Sequence, residues 1–425
     1  MPQNLAAPAR AFLLLMVVLA GQPVHAAMHT VTTLPDSVDG SLRLVLQAAG
    51  AGDTVEFALP DNDTVRLADS ILIDRDVVLL GGINRATGNR MVVCVDSPGV
   101  STYRVFSITA AVTIKGLVML GGATGSVEGG VLKATGKNTV LVLDSVVASG
   151  GNCTGSGGGI YAGCARFSLV NSEVSGNACR SENSARGGGL YCTGSSVVLE
   201  NCRIHGNSVK SEKSSANGGG MYSTFSKTVI HRCRIDSNLA HAVKSTSLGG
   251  GICNLDTMQI TGCIIEGNEV RAGGTGTVAV GPKSCGGGVF NSRVLSMSCT
   301  DGRSGWGDGG GIGNGGLATV DRCRIALNAS YGSSLQDSYG GTGTGGGAGN
   351  KGILNLIRTV VDSNRSSGGG GNSYGGKAFG GGIYNLKKMF MAFSTIAGNT
   401  SIGKNGDTFS GNSEADDFYD SLLSG

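Results

Sequence analysis

A run of three glycines, or a near relic of one, opens at residues 157, 187, 218, 249, 286, 309, 345 and 380. In most copies an asparagine follows 19 or 20 residues later: Asn177, Asn207, Asn238, Asn268, Asn328, Asn364 and Asn399. The stretch from glycines to asparagine keeps its length, whereas the interval from asparagine to the next glycines varies. A fixed core with a variable insertion, returning roughly every 30 residues, is the sequence form of a solenoid, in which each copy buries its apolar face against its neighbours. The copy at Gly286 lacks its asparagine and runs straight into Gly309, so it reads as truncated or irregular, and a weaker copy spans roughly 129 to 152.

Inside the core, apolar positions alternate over short stretches and then change phase, as strands joined by tight turns do and helices do not. In VIHRCRIDSN, Ile230 and Ile235 are an odd number of residues apart, so they share one interior only if a turn intervenes, with Arg232, or Asn201 one copy earlier, as the turn residue. Alignment of the copies then predicts an inward column of small residues: Ser145, Ser172, Cys202, Cys233, Cys263, Cys323, Thr359 and Ser394. A second, mostly β-branched column runs beside it: Val147, Val174, Ile204, Ile235, Ile265, Ile325, Val361 and Ile396. A third, Asn254, Asn291, Asn314, Asn350 and Asn385, falls five residues after the start of each glycine run, where stacked amides can donate and accept along the pile. The expected fold is all-β: a right-handed parallel β-helix of about ten rungs with a short N-terminal capping helix.

Composition supports this and excludes other classes. Glycine accounts for 75 of 425 residues without a strict three-residue period, and aromatics for 5%. The net charge of +3 comes without a basic block, so nucleic acid is not an expected partner. Residues 1–26 carry Arg10, an apolar run at 11–20 and a small-residue ending at Ala26, the pattern of a secretory leader. No later segment is long enough to span a bilayer as a helix. A monomeric protein that is secreted or held at a cell surface is expected.

The expected organisation is residues 27–125 as N-terminal cap and first rungs, continuous with the glycine-rich repeats at 126–400, and residues 401–425 as a cap or a disordered tail. Within the first part, Ser41 is placed as helix cap, Leu42, Val45, Leu46 and Ala49 on one apolar face, and Gly50 as the stop.

The phrases GGGIYAG, GGGLYC and GGGIYN, each followed by SGN, HGN or AGN, resemble the repeats of β-helix proteins of the polymorphic outer membrane protein type. DGSLRLVLQAAGAGDTVEFALP resembles the CSLREA-type start of exported bacterial β-helix proteins, with Gly40 in place of the cysteine and Leu44-Val45 in place of Glu-Ala. The resemblance covers roughly residues 30 to 400 and implies an adhesin-like, non-enzymatic scaffold that binds a cell-surface protein or a polysaccharide through its variable loops, such as 269–285 and 329–344. The same fold resembles that of pectate lyases, which implies a polysaccharide lyase or glycoside hydrolase as the alternative.

For that alternative the outward residues Arg203, His205, Arg234, Asp236 and Glu266 matter most, because neighbouring rungs bring Asp236 and Glu266 to within about 5 Å. Such a pair suits general acid and base work or calcium binding; the competing reading is a solvated face of mixed charge. No aromatic platform for a sugar ring lies nearby in sequence. GNSYGGKA at 371–378 has phosphate-loop spacing but ends in Ala378 where a hydroxyl is needed. Cys202, Cys233, Cys263 and Cys323 read as stacked buried thiols, and some of Cys153, Cys164, Cys179, Cys192, Cys253 and Cys285 as cross-rung pairs. Asn62, Asn152, Asn328, Asn364 and Asn399 begin N-x-S/T triplets. No catalytic, cofactor-binding or metal-binding residue is assigned.

Overall fold

The computed structural model describes residues 26–59, 64–82, 90–98, 101–122, 128–272, 284–291, 294–298, 301–303, 311–326, 328–331, 343–368, 376–403, 413–414 and 417–420. The leader, the loop tips 273–283 and 332–342, and residues 371–375 of the phosphate-loop-like stretch lie outside them.

Among the described residues the chain is all-β, with several parallel sheets and one short helix. One repeat shows the plan. Leu190–Thr193 and Ser196–Glu200 enter a first large sheet, Arg203–His205 a second of 12 strands, and Ser208–Ser211 and Ala216–Asn217 two smaller side sheets. Each strand pairs in parallel and in register with its counterpart one repeat on, Leu190 with Met221, Ile204 with Ile235, Val209 with Ala240. Like residues therefore stack: Leu169, Leu199, Ile230 and Ile260 fill one fully buried column, and Val174, Ile204, Ile235 and Ile265 another.

Two left-handed corners make the phase changes. Asn171, Asn201, Arg232, Arg322 and Arg358 hold φ between 46° and 53° where the first sheet turns into the second. Gly176, Gly206, Ser237, Gly267 and Ser363 hold φ of 54–63° immediately before the repeat asparagines. The turn expected at Arg232 and Asn201 is there. The small column that follows it has a polar task as well as a steric one. Val146 N–H donates to Ser172 Oγ (3.0 Å), Cys202 N–H to Cys233 Sγ (3.4 Å), Cys233 N–H to Cys263 Sγ (3.3 Å), and Thr359 N–H to Ser394 Oγ (3.0 Å). Serine, threonine and cysteine interchange because each is small and offers an acceptor.

One copy of both columns was set a residue early. Ser145 is itself the corner residue (φ 56°), so the inward residues are Val146 and Ala148, not Ser145 and Val147. The copy at Gly286 is less curtailed than its sequence suggests, since Val289–Asn291, Val294–Ser298 and Asp301–Arg303 all pair with the copies before and after.

The variable intervals are partly ordered. Those after Asn177, Asn207 and Asn238 form the two side sheets, with a small core of their own that includes Cys179, Ala185, Val209, Ala216 and Ala240. The glycine run is the neck of this side lobe. Its first member takes positive φ (Gly187, 63°). The second passes over the strand that leaves the core: a β-carbon on Gly188 would lie 2.5 Å from Ser208 O. The third makes room for the asparagine amide, since a β-carbon on Gly189 would lie 2.9 Å from Asn207 Cγ. Three glycines and the asparagine that closes the same repeat are thus the two sides of one crossing.

At the N-terminal end, Leu42–Ala48 is helical, Ser41 Oγ accepts the Leu44 N–H (3.4 Å), and Leu42 and Leu46 are buried in the main core. At the other end, Ser413–Glu414 and Phe418–Asp420 pair with Ala378–Phe379 and Ile383–Asn385. Asp417 Oδ1 accepts both the backbone and side-chain N–H of Asn399 (2.8 and 3.0 Å).

Candidate functional site

The outward residues of the second sheet flank the buried Val174–Ile265 column on both sides. In register, Glu173, Arg203, Arg234 and Ile264 form one outer row, and Ser175, His205, Asp236 and Glu266 the other. The expected juxtaposition of Asp236 and Glu266 is therefore present, one strand apart. What the sequence did not reveal is that arginines occupy both carboxylates. Arg203 grips Asp236 through Nε (3.1 Å) and Nη2 (2.9 Å), while Arg234 bridges Asp236 (3.3 Å) and Glu266 (2.5 Å). His205 Nε2 lies 3.1 Å from Glu173 Oε1.

These contacts set the charge state. Burial by itself would raise the Asp236 carboxyl, but Arg203, with Arg234 and His205, outweighs it and holds the group below its ordinary value. Glu173 is shifted the same way: burial opposes, while Ser175, His205 and Arg203 prevail. Both carboxyls are thus ionised at neutral pH, which suits ion pairing. Among the described residues no three His, Cys, Asp or Glu side chains converge as metal ligands. The device recurs farther along the same sheet, where Arg324 grips Asp362 (3.1 and 2.6 Å) with the Arg203–Asp236 geometry.

Beside the ion pairs lies an open groove of about 370 Å³, lined by Arg90, Glu173, Arg203, Arg232, Arg234 and the corner amides Asn171 and Asn201. Asn201 Nδ2 donates to Asn171 Oδ1 (2.8 Å), and Arg232 Nη2 to Glu200 Oε1 (2.7 Å). Arg90, Asn171, Asn201 and Arg232 were not read as groove residues from the sequence. The corner residues carried a signal in their shared left-handed position; Arg90, outside the repeats, carried none.

A stacked aromatic row, not expected from the sequence, stands on the first sheet. Tyr161, Tyr191 and Tyr222 are in-register partners with ring centroids 5.1 and 5.3 Å apart. Lys133 lies over the Tyr161 ring and Arg186 over the Tyr222 ring. Because the rings spend their faces on each other and on these cations, they do not form an open platform for sugars.

The thiols and amides fall into structural places. The ten cysteines whose side chains are described, Cys153, Cys164, Cys179, Cys192 and Cys253 among them, are buried and no disulfide joins them, so the expected cross-rung pairs are not formed among them; the Cys285 side chain lies outside the described residues. Asn328, Asn364 and Asn399 are buried members of an amide ladder, which removes them as glycosylation acceptors.

No family model matches the chain, and no curated protein matches it. A solved structure from Geobacillus virus E2, ORF18, is similar at 12% identity and a TM-score of 0.26, over 94% of this chain. The chain spans 64% of the length of that protein.

Proposed function

We propose that the chain is wound as a right-handed parallel β-helix of about ten turns and serves as an exported, surface-associated scaffold that binds a hydroxyl-rich polysaccharide without cleaving it. The groove beside the second sheet carries this reading. Its guanidinium and amide N–H groups are donors and the Glu173 carboxylate an acceptor, set on strands and corners of the sheet. Three of its four arginines, Arg203, Arg232 and Arg234, are paired with Asp236, Glu200 and Glu266, and Glu173 adds a carboxylate to the lining. That balance favours a neutral polymer over an acidic one. The adhesin-like reading thereby moves from the variable loops, whose described parts are built into the side lobe, to a face of the sheet.

A glycoside hydrolase or lyase is the second reading, favoured by one observation. Asp236 and Glu266 sit one strand apart, about 4.8 Å, near the separation of the carboxyl pair in retaining glycosidases. Against it, both acids are committed to arginine.

Binding of the purified protein to a panel of neutral and acidic polysaccharides, by affinity electrophoresis, tests the scaffold reading. A neutral polymer should retard the protein with little dependence on ionic strength, and Arg90→Ala and Asn201→Ala should each weaken retardation several-fold. Failure to bind any polymer, or variants that bind like the wild type, would sink it. Steep salt dependence would point to an acidic polymer instead.

A further inference from the structure

Cys153 and Cys179 are direct register partners on the parallel strands Asn152–Cys153 and Ala178–Ser181, and both are fully buried in the small core of the side lobe. Neighbouring strands lie about 4.8 Å apart, which brings the two α-carbons within the roughly 4.4–6.8 Å span that a disulfide bridges. Among the described residues Asn152–Cys153 is also the outermost strand of its sheet, two residues long, with a strand partner on one side and a single backbone hydrogen bond, Asn152 N–H to Gly122 O (3.0 Å), on the other. A short edge strand of this kind opens more readily than the strands inside, which gives a buried thiol access to a small oxidant.

The other thiol column is differently committed. Cys233 Sγ and Cys263 Sγ each accept a backbone N–H from the preceding repeat, and Cys202 Sγ donates to Glu200 O (3.1 Å). Those sulfurs complete a corner of the main core. Cys202 is held below its ordinary pKa by Cys233 much as Cys153 is by Cys179, but Cys202 lies in the main core and Cys153 on an edge strand. The hydrogen bond from Cys179 holds Cys153 below its ordinary pKa and, against the effect of burial, so do the backbone N–H groups of Gly155 and Ser156 and the Arg104 guanidinium. Cys179 is pushed the opposite way, chiefly by the same hydrogen bond and by burial. One partner is thus favoured as thiolate, the attacking form in thiol–disulfide exchange.

We propose that Cys153 and Cys179 form a reversible disulfide that staples the edge strand of the side lobe to its neighbour. The oxidant is a small disulfide of the glutathione class. Cys153 thiolate attacks one of its sulfurs and releases the first thiol; the Cys179 thiolate, after losing its proton, attacks the mixed disulfide at Cys153 and releases the second. One Cys153–Cys179 bond forms, the small disulfide is reduced to two thiols, and the reverse exchange reopens the bridge. The strand spacing exceeds the usual β-carbon separation in disulfides, about 3.8 Å, which makes the bridge reducible.

The folded full chain, reduced and then equilibrated with oxidised glutathione, is alkylated in denaturant, digested and mapped by mass spectrometry. The expected product is a peptide pair linked through Cys153 and Cys179, lost on adding excess reduced glutathione, with Cys202, Cys233 and Cys263 alkylated throughout. The oxidised protein should also resist proteolysis near residue 153 more than the reduced one, and Cys179→Ser should abolish that difference. Full alkylation of Cys153 and Cys179 after equilibration, or a predominant link to any other cysteine, would overturn the proposal. The mapping uses the wild-type chain, so a poorly folding variant does not remove the test.

Discussion

Asn207 Nδ2 donates to Asn238 Oδ1 at 3.0 Å, and the same oxygen accepts the Asn207 backbone N–H at 3.1 Å. Asn238 then donates to Ile204 O (2.9 Å) and to Asn268 Oδ1 (2.8 Å), so each amide closes its own repeat and ties it to the next. A second ladder, Asn254 to Asn291, Asn314, Asn350 and Asn385, runs along the first sheet with links of 2.6–3.0 Å.

Asn238→Ala leaves two buried donors of Asn207 without an acceptor. At about 1–3 kcal/mol for each unsatisfied group, the expected loss is roughly 2–6 kcal/mol. Denaturant unfolding measures it; a loss below about 1 kcal/mol would mean that the ladder contributes little.

Gly187 and Gly194 share a left-handed backbone, with φ of 63° and 65°, but a β-carbon would meet Leu190 O at the first and nothing within 4 Å at the second. Both alanine variants therefore carry the left-handed penalty, about 1–2 kcal/mol, and Gly187→Ala adds a backbone clash at the neck. Thermal unfolding should rank Gly187→Ala clearly below Gly194→Ala. Equal losses would show that the neck is not tight.

The main plan was legible because each strand pairs in register with its counterpart one repeat on, which constrains the sequence in columns. The glycine and asparagine spacing, the Asn254 column, the Arg232 corner and the Ser41 helix cap could all be read directly. The first copy misled by one residue because its corner is Ser145, a small residue like those of the column itself, where later copies show asparagine, arginine, glycine or, at Phe393, phenylalanine. The side lobe was hidden because strands such as Ala216–Asn217 are too short to show a period. Tyr161, Tyr191 and Tyr222 share one offset from their glycine runs, a signal present but unread. Arg203–Asp236 pairing was also accessible, since the two lie on opposite outer rows one repeat apart; the acids drew attention before the arginines between them did.

Cys233→Ser keeps a small acceptor for the Cys202 N–H, as Ser172 and Ser394 do in their repeats, and should change stability by about 1 kcal/mol or less. Cys233→Val removes the acceptor and should cost about 1–3 kcal/mol. Equal unfolding midpoints for the two variants would make the column purely steric.

The depressed carboxyl of Asp236 fixes the direction of one pH effect. A group whose folded pKa lies below its unfolded value, about 3.9 for aspartate, contributes stability above that value and loses it as pH falls through the folded pKa. The unfolding temperature should hold from neutrality to about pH 5 and decline below about pH 4, less steeply in Asp236→Asn. An identical acid decline in the variant would remove Asp236 from the account.

The central claim is that the charged face binds a polymer and does not cleave it. The most direct measurement incubates the protein with each polysaccharide it binds, with and without calcium, and follows new reducing ends together with the absorbance of unsaturated products. The account predicts retained binding with no product, in the wild type and in Asp236→Ala and Glu266→Ala alike. Product formation by the wild type that disappears in either variant would contradict it.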